Sequence, residues 1–241
     1  MYTIDGRVRY SELNEQGNLS VTGILNYFQD CSTFQSEDIG LGIAYLQEKQ
    51  RAWWLSSWQV VIDRYPKLGE KIKISTWPYD FKGMYGYRNF LMQDEAGNNL
   101  VRANSVWFFY DLEAGRPVRI QAEDIRGYGN GEEEKLDMEY APKKITVPED
   151  AAEGEAIVIS NHHIDTNHHV NNAKYIEIAR EVLPDTLTVK ELRAEYKKAA
   201  VYGDIMIPHI SRTEEGYVVS LCDPEKKPYA VVWLEADPVK R

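Results

Sequence analysis

The chain is 241 residues long with a mass of 27.8 kDa, enough for one large domain or two small ones. Its net charge of −10 and pI of about 5.1 argue against nucleic acid, which needs a basic footprint. A mean hydropathy of −0.50, with no apolar run approaching the roughly 20 residues of a membrane-spanning helix, argues against such a span.

In chain order, the opening MYTIDGRVRY holds no apolar signal core, so the sequence points to the cytoplasm. After Gly17-Asn18-Leu19, Ser20 can cap a helix. Its apolar residues Ile24, Leu25, Tyr27, Phe28 and Cys31 fall at i, i+1, i+3, i+4 and i+7, which puts them on one buried stripe. Trp58 to Ile62 is a β-branched and aromatic run, and Tyr65 to Glu70, with Pro66 and Gly69, makes a turn. Lys71 to Thr76 then alternates polar and apolar residues, a strand with one face buried. Tyr87 to Gln93 turns at Asp94-Glu95-Ala96-Gly97-Asn98 into Leu100 to Tyr110, a hairpin.

From Gln121 to Glu155 the character changes. This stretch holds Gly127-Tyr128-Gly129-Asn130-Gly131, the acidic run Glu132-Glu133-Glu134, and Pro142 and Pro148. It reads as a linker, not a dinucleotide loop, because no strand and helix bracket the glycines. The series then begins again. Asn171 can cap a helix with Tyr175, Ile176, Ile178, Ala179 and Val182 on one face. Leu192 to Lys198 reads as a strand, Val201 to Asp204 as a turn, and Ile205 to Ile207 as a strand. Tyr217 to Cys222 and Tyr229 to Glu235 form a second hairpin around Asp223 to Lys227. Residues 17–30 and 168–181 align without a gap, poor in identity but matched in pattern. The chain is therefore expected to be α+β, a helix on an antiparallel sheet twice over. The domains are expected at 1–125 and 153–241, with the linker at 126–152. Cys31 and Cys222 sit among apolar residues and read as buried free thiols.

Asp165-Thr166-Asn167-His168-His169-Val170-Asn171-Asn172-Ala173-Lys174-Tyr175 resembles the D-x-N-x-H-V-N-N-x-x-Y motif of the acyl-acyl carrier protein (acyl-ACP) thioesterases of plants and bacteria. In that family the stretch also lies immediately before the second helix. Glu195-Tyr196-Lys197-Lys198 resembles the family's E-Y-[KR]-[KR] strand, and Tyr10-Ser11-Glu12 and Gly69-Glu70 extend the likeness into the first half. The resemblance implies a tandem hot-dog fold and hydrolysis of fatty acyl-ACP to free fatty acid and holo-ACP, the terminating step of fatty acid biosynthesis. It also implies acyl carrier protein as partner, no metal or cofactor, and Asp165, Asn167 and His169 as the catalytic residues. The chain is expected to act as a monomer or homodimer. Two positions depart: the family's Glu and Cys after the two basic residues are here Ala199 and Ala200. Alanine cannot activate water, so Asp165 and His169 are expected to form the base.

The chemistry fits those residue types. Histidine titrates near 6.5 when unperturbed, so it can take or give a proton at neutral pH. Asn167 can orient a carbonyl or a water, and Asp165 can hold an imidazole in one tautomer. Unpaired amides at the start of the second helix, with its dipole, can polarise a thioester oxygen. Asp, Asn and His also serve as ordinary turn and cap residues before helices. His162, His163, His168 and His169 cluster closely enough to raise a metal reading, which no cysteine and no helical His pair supports. Trp53, Trp54 and Trp58 fit an acyl tunnel or plain core. Lys143, Lys144, Lys197 and Lys198 fit a carrier-protein contact or a solvated face. Strand alternation sends Lys197 and Lys198 to opposite sides. Two other functions share these features: an acyl-CoA thioesterase, and an acyl-ACP-binding protein without catalysis.

Overall fold

The computed structural model describes residues 1–129, 133–184 and 187–236. Asn130, Gly131 and Glu132 of the expected linker lie outside the described residues. The chain divides into two units: residues 1–56 with 62–140, and residues 57–61 with those from 141 on. Among the described residues no helix is long and apolar enough to cross a membrane.

The first unit runs β1 (Tyr2–Arg7), α1 (Val21–Asp38), α2 (Ile43–Glu48), β2 (Arg51–Ile62), β3 (Lys71–Lys82), β4 (Tyr85–Asp94), β5 (Asn99–Asp111), β6 (Arg116–Pro117) and α3 (Ala122–Ile125). β1, β3, β4, β5 and β6 pair antiparallel in that order. Ser20 starts α1 as its sequence suggests, its Oγ accepting the Gly23 N–H at 3.0 Å. The apolar stripe then buries Ile24, Leu25, Phe28 and Cys31 against β3 and β1, with the Phe28 ring 5.2 Å from Phe90 of β4. A fully buried Ile, Leu or Phe contributes about 1.5–3 kcal/mol, so this stripe is what fixes α1 to the sheet. Tyr27 marks its edge: half-buried, its hydroxyl donates to Glu12 Oε2 at 2.9 Å. β2 begins at Arg51, well before Trp58, because its aromatics find ring partners. Trp53 packs 4.7 Å from Phe109 and Trp54 stacks on Tyr110 at 3.9 Å.

The second unit runs β7 (Ala152–Glu153), β8 (Ile157–Val158), α4 (Asn172–Glu181), β9 (Val189–Tyr196), β10 (Ile205–Arg212), β11 (Gly216–Cys222) and β12 (Pro228–Ala236). The sheet order is β9-β12-β11-β10, all antiparallel, with β7 and β8 on β10. Residues 57–61 of β2 belong here, pairing with β9 from Ser57↔Glu195 to Val61↔Glu191. Helix α4 packs on β11 and β12 through buried Tyr175, Ile176, Ile178 and Ala179. Cys31 and Cys222 are free and buried.

One expectation fails in β9. The strand ends at Tyr196, so alternation does not govern Lys197 and Lys198. Both of their amides donate to the Tyr229 carbonyl, at 2.8 and 3.2 Å, and this doubled contact breaks the pleat. Lys197 pairs with Glu195, and Lys198 Nζ donates to Asp223 Oδ2 at 3.1 Å.

Candidate active site

The candidate residues lie on one turn, between a 3₁₀ turn at Asn161–His163 and helix α4. Ile164 pairs with Val170 to close it. Inside, the Asp165 N–H donates to the His169 carbonyl at 2.9 Å and the His168 N–H donates to the Asp165 carbonyl at 3.0 Å. The carboxylate of Asp165 accepts the Asn167 N–H at 2.8 Å, an Asx-turn. His168 takes φ +62°, the left-handed region that favours glycine. The turn is clamped from outside as well: the Val170 N–H donates to the Ala200 carbonyl and the Asn171 N–H to the His163 carbonyl, both at 2.9 Å. Asp165 and His169 are half-buried and Asn167 is exposed.

The turn thus brings Asp165, Asn167 and His169 together. The Asp165 N–H and the His169 carbonyl are bonded through the backbone, and Asp165 Oδ1 is engaged by Asn167. The helix start also differs from expectation. Asn171 Oδ1 caps α4 by accepting the Ala173 N–H at 2.9 Å, and the Lys174 N–H donates to the Asn171 carbonyl. Of the amides from Asn171 to Lys174, only that of Asn172 is left without a partner among the described residues. The oxyanion role open to this helix therefore narrows to one amide and the dipole.

The first unit repeats the turn almost bond for bond. Leu13 pairs with Leu19, the Asn14 N–H donates to the Asn18 carbonyl at 2.8 Å, and Asn14 Oδ1 accepts the Gln16 N–H at 3.1 Å. Gly17 takes φ +75° at the place of His168. The Leu19 N–H donates to the Pro66 carbonyl, as that of Val170 does to Ala200. Asn14, Gln16 and Asn18 thus stand where the second unit has Asp165, Asn167 and His169. The backbone needs an Asx side chain at the first position and tolerance of positive φ at the fourth. It needs neither a carboxylate nor an imidazole.

Other candidates divide. Ser160 gathers His162 and His163: its Oγ lies 2.9 Å from His162 Nδ1, and its N–H donates to His163 Nδ1 at 3.0 Å. The two rings lie 3.9 Å apart. Burial, more than the neighbouring His162 and Lys174, lowers the His163 pKa. Among the described residues no group of three or more His, Cys, Asp or Glu is placed to hold a metal. Ala199 is exposed and Ala200 fully buried. Sequence reasoning passed over two hydroxyls that the site uses. Tyr175 Oη accepts the Ala200 N–H at 2.8 Å, and Tyr196 donates to the Asn172 carbonyl at 2.8 Å. The signal was available, since both tyrosines belong to the quoted motifs.

Residues 1–128 match the model of the acyl-ACP thioesterase N-terminal domain, and residues 137–227 that of the C-terminal domain. The chain belongs to the acyl-ACP thioesterase family. Among characterised relatives, the chloroplastic palmitoyl-acyl carrier protein thioesterase of Gossypium hirsutum is 27% identical over 79% of this chain and 50% of its own. The enzyme of the same name in Arabidopsis thaliana is 25% identical over 87% of this chain and 60% of its own. The chain thus spans about half to three fifths of the length of these relatives. Solved structures agree in fold. An acyl-ACP thioesterase from Bacteroides thetaiotaomicron superposes with a TM-score of 0.87 at 22% identity, covering 98% of this chain and 97% of that one. The 12:0-ACP thioesterase from Umbellularia californica gives 0.84 at 18% identity, over 98% and 97%. The fold is the tandem hot-dog of this family, α+β as expected.

Proposed function

We propose that this chain hydrolyses the thioester of fatty acyl-ACP, releasing free fatty acid and holo-ACP, with Asp165, Asn167 and His169 as its catalytic residues. The observation that carries the reading is the duplicated turn. The same backbone is built in the first unit with Asn14, Gln16 and Asn18, so folding does not explain a carboxylate and an imidazole in the second. Membership of the thioesterase family supplies the reaction class.

In the proposed chemistry, His169 removes a proton from water as the oxygen adds to the thioester carbonyl. The oxyanion forms against the Asn172 amide and the positive end of α4. When the carbon–sulfur bond breaks, the imidazolium returns its proton to the thiolate, leaving a carboxylic acid and a thiol. Asn167 orients the carbonyl, held by its own amide on Asp165. The Asp165 charge stabilises the imidazolium across the turn.

The test is release of free thiol from acyl-ACP and acyl-CoA, side by side, by the wild type and by His169→Ala. The wild type is expected to prefer acyl-ACP, and His169→Ala to lose about 10²–10⁴ in kcat. Equal rates for the two proteins overturn the site. Tight binding of acyl-ACP without thiol release overturns the activity.

A further inference from the structure

Helix α1 outlasts its counterpart. With residues 17–30 aligned on 168–181, α4 stops at Glu181, the match of Asp30, whereas α1 runs on to Asp38. The added turns bury polar side chains, Ser32 and Gln35, against the sheet. Their partner is Arg88 of β4, only 8% exposed. Its Nη1 donates to Gln35 Oε1 at 2.5 Å and to Thr76 Oγ1 at 3.1 Å. The Tyr128 ring covers the guanidinium, its centroid 5.3 Å from Cζ, and the Tyr128 hydroxyl is fixed by a 2.6 Å bond with Ser36 Oγ. These partners are all neutral. Burial lowers the Arg88 pKa, and the groups that offset it are Tyr128 and Cys31, with no carboxylate among them. A guanidinium keeps its charge even so. A buried cation without a counter-charge is costly to a fold, and the second unit builds its helix without the turns that hold this one.

The edge of Arg88 turned away from Gln35 shows what the charge serves. Nε and Nη2 have no hydrogen-bond partner among the described residues. The one sealed side-chain polar atom without a partner there is Ser211 Oγ, so both nitrogens open onto a space that admits an oxygen atom. Nε–H and Nη2–H form the parallel fork that a carboxylate fills with both oxygens. We propose that the first unit binds a carboxylate at the Nε and Nη2 edge of Arg88, carried by a monoacid with an apolar body, the fatty acid class. One guanidinium balances one negative charge, whereas a phosphate monoester brings about −1.5 to −2. The surroundings suit an apolar body. The Tyr128 ring lies 6.4 Å from Phe81, and Phe81 lies 6.3 Å from Trp53. Both of these rings pack over Gly86, on the same face of β4 as Arg88, where a side chain would meet them at 3.2 and 3.3 Å. The proposal stands on the first unit alone; under the thioesterase reading such an acid is also the product of this chain.

The test is titration calorimetry of the full chain at neutral pH with acetate, butyrate, octanoate and dodecanoate, and with butanol and octanol as uncharged controls. Arg88→Lys keeps the charge and removes the fork. Arg88→Met/Gln35→Leu removes the charge together with the acceptor it would leave bare, while Thr76 Oγ1 keeps its 3.0 Å bond to the Asn89 carbonyl. The wild type is expected to bind at least one acid about tenfold or more tighter than the alcohol of equal length. Both variants are expected to lose about tenfold or more in affinity for that acid, with the alcohol within about twofold. The double variant is expected to melt at or above the wild type, relieved of a buried charge. A wild type that binds none of the acids overturns the proposal, as does an acid affinity unchanged in Arg88→Lys. Should the double variant fail to fold, Arg88→Lys decides alone. Binding that His169→Ala abolishes and Arg88→Lys leaves intact puts the acid at the candidate active site, and overturns the proposal without touching the thioesterase reading.

Discussion

Asp165 holds the turn through Oδ1 and is proposed to support His169 through its charge, and the two roles separate in Asp165→Asn. Asn14 shows that an Asn oxygen makes the same Asx-turn, so unfolding free energy is expected within about 0.5 kcal/mol of wild type. Hydrolysis is expected to fall by about 100-fold or more, because the amide cannot stabilise an imidazolium. Wild-type turnover in this variant removes Asp165 from the mechanism. His168 tests the backbone instead. At φ +62° it stands where the first unit uses Gly17. A left-handed L-residue costs about 1–2 kcal/mol, partly offset by the extra freedom of glycine in the unfolded chain. His168→Gly is therefore expected to raise the urea midpoint, by up to about 1 kcal/mol in stability. A lowered midpoint shows that the His168 side chain contributes contacts worth more than the strain.

At the scale of elements, much was legible because each half states its plan in local terms. Ser20 and Asn171 announce the two helices, the apolar stripes show which faces are buried, and Asp94 to Asn98 and Asp223 to Lys227 mark the hairpins. Less legible were elements whose stability comes from outside their own sequence. β1 buries no side chain fully and exists through its ladder to β3, and α2 likewise buries no side chain fully. The end of β9 is set by one distant carbonyl, that of Tyr229. The site was legible as residue types, but the bonds of Asp165 and the bond of Tyr175 to the Ala200 amide depend on partners that spacing does not reveal. The caps offer a matched test. Ser20→Ala and Asn171→Ala are each expected to cost about 1 kcal/mol by chemical denaturation. Only Asn171→Ala is expected to lower kcat as well, since it frames the Asn172 amide. Equal kcat losses in both show that catalysis merely tracks global stability.

Across the whole molecule, both units bury phenols. Tyr27 in the first unit is pushed up to about 12 by burial and then by its bond to Glu12. In the second, Tyr175 and Tyr229 are each pushed up to about 12 by burial, with carboxylates adding to it. An unfolded tyrosine ionises near 10. Below that pH both states keep their protons and the phenols leave stability level. Between about 10 and 12 the unfolded chain has released protons that the folded chain still holds, so stability falls as pH rises through this window. The urea midpoint is accordingly expected to hold steady through neutral pH and decline above about 10. Tyrosinate absorbance is expected to appear at higher pH in the folded protein than in urea. Tyr175→Phe removes one of these phenols, so its midpoint is expected to decline less steeply with pH than that of the wild type. A wild-type slope retained in that variant means that Tyr175 ionises alike folded and unfolded, and that burial in the fold does not hold its proton.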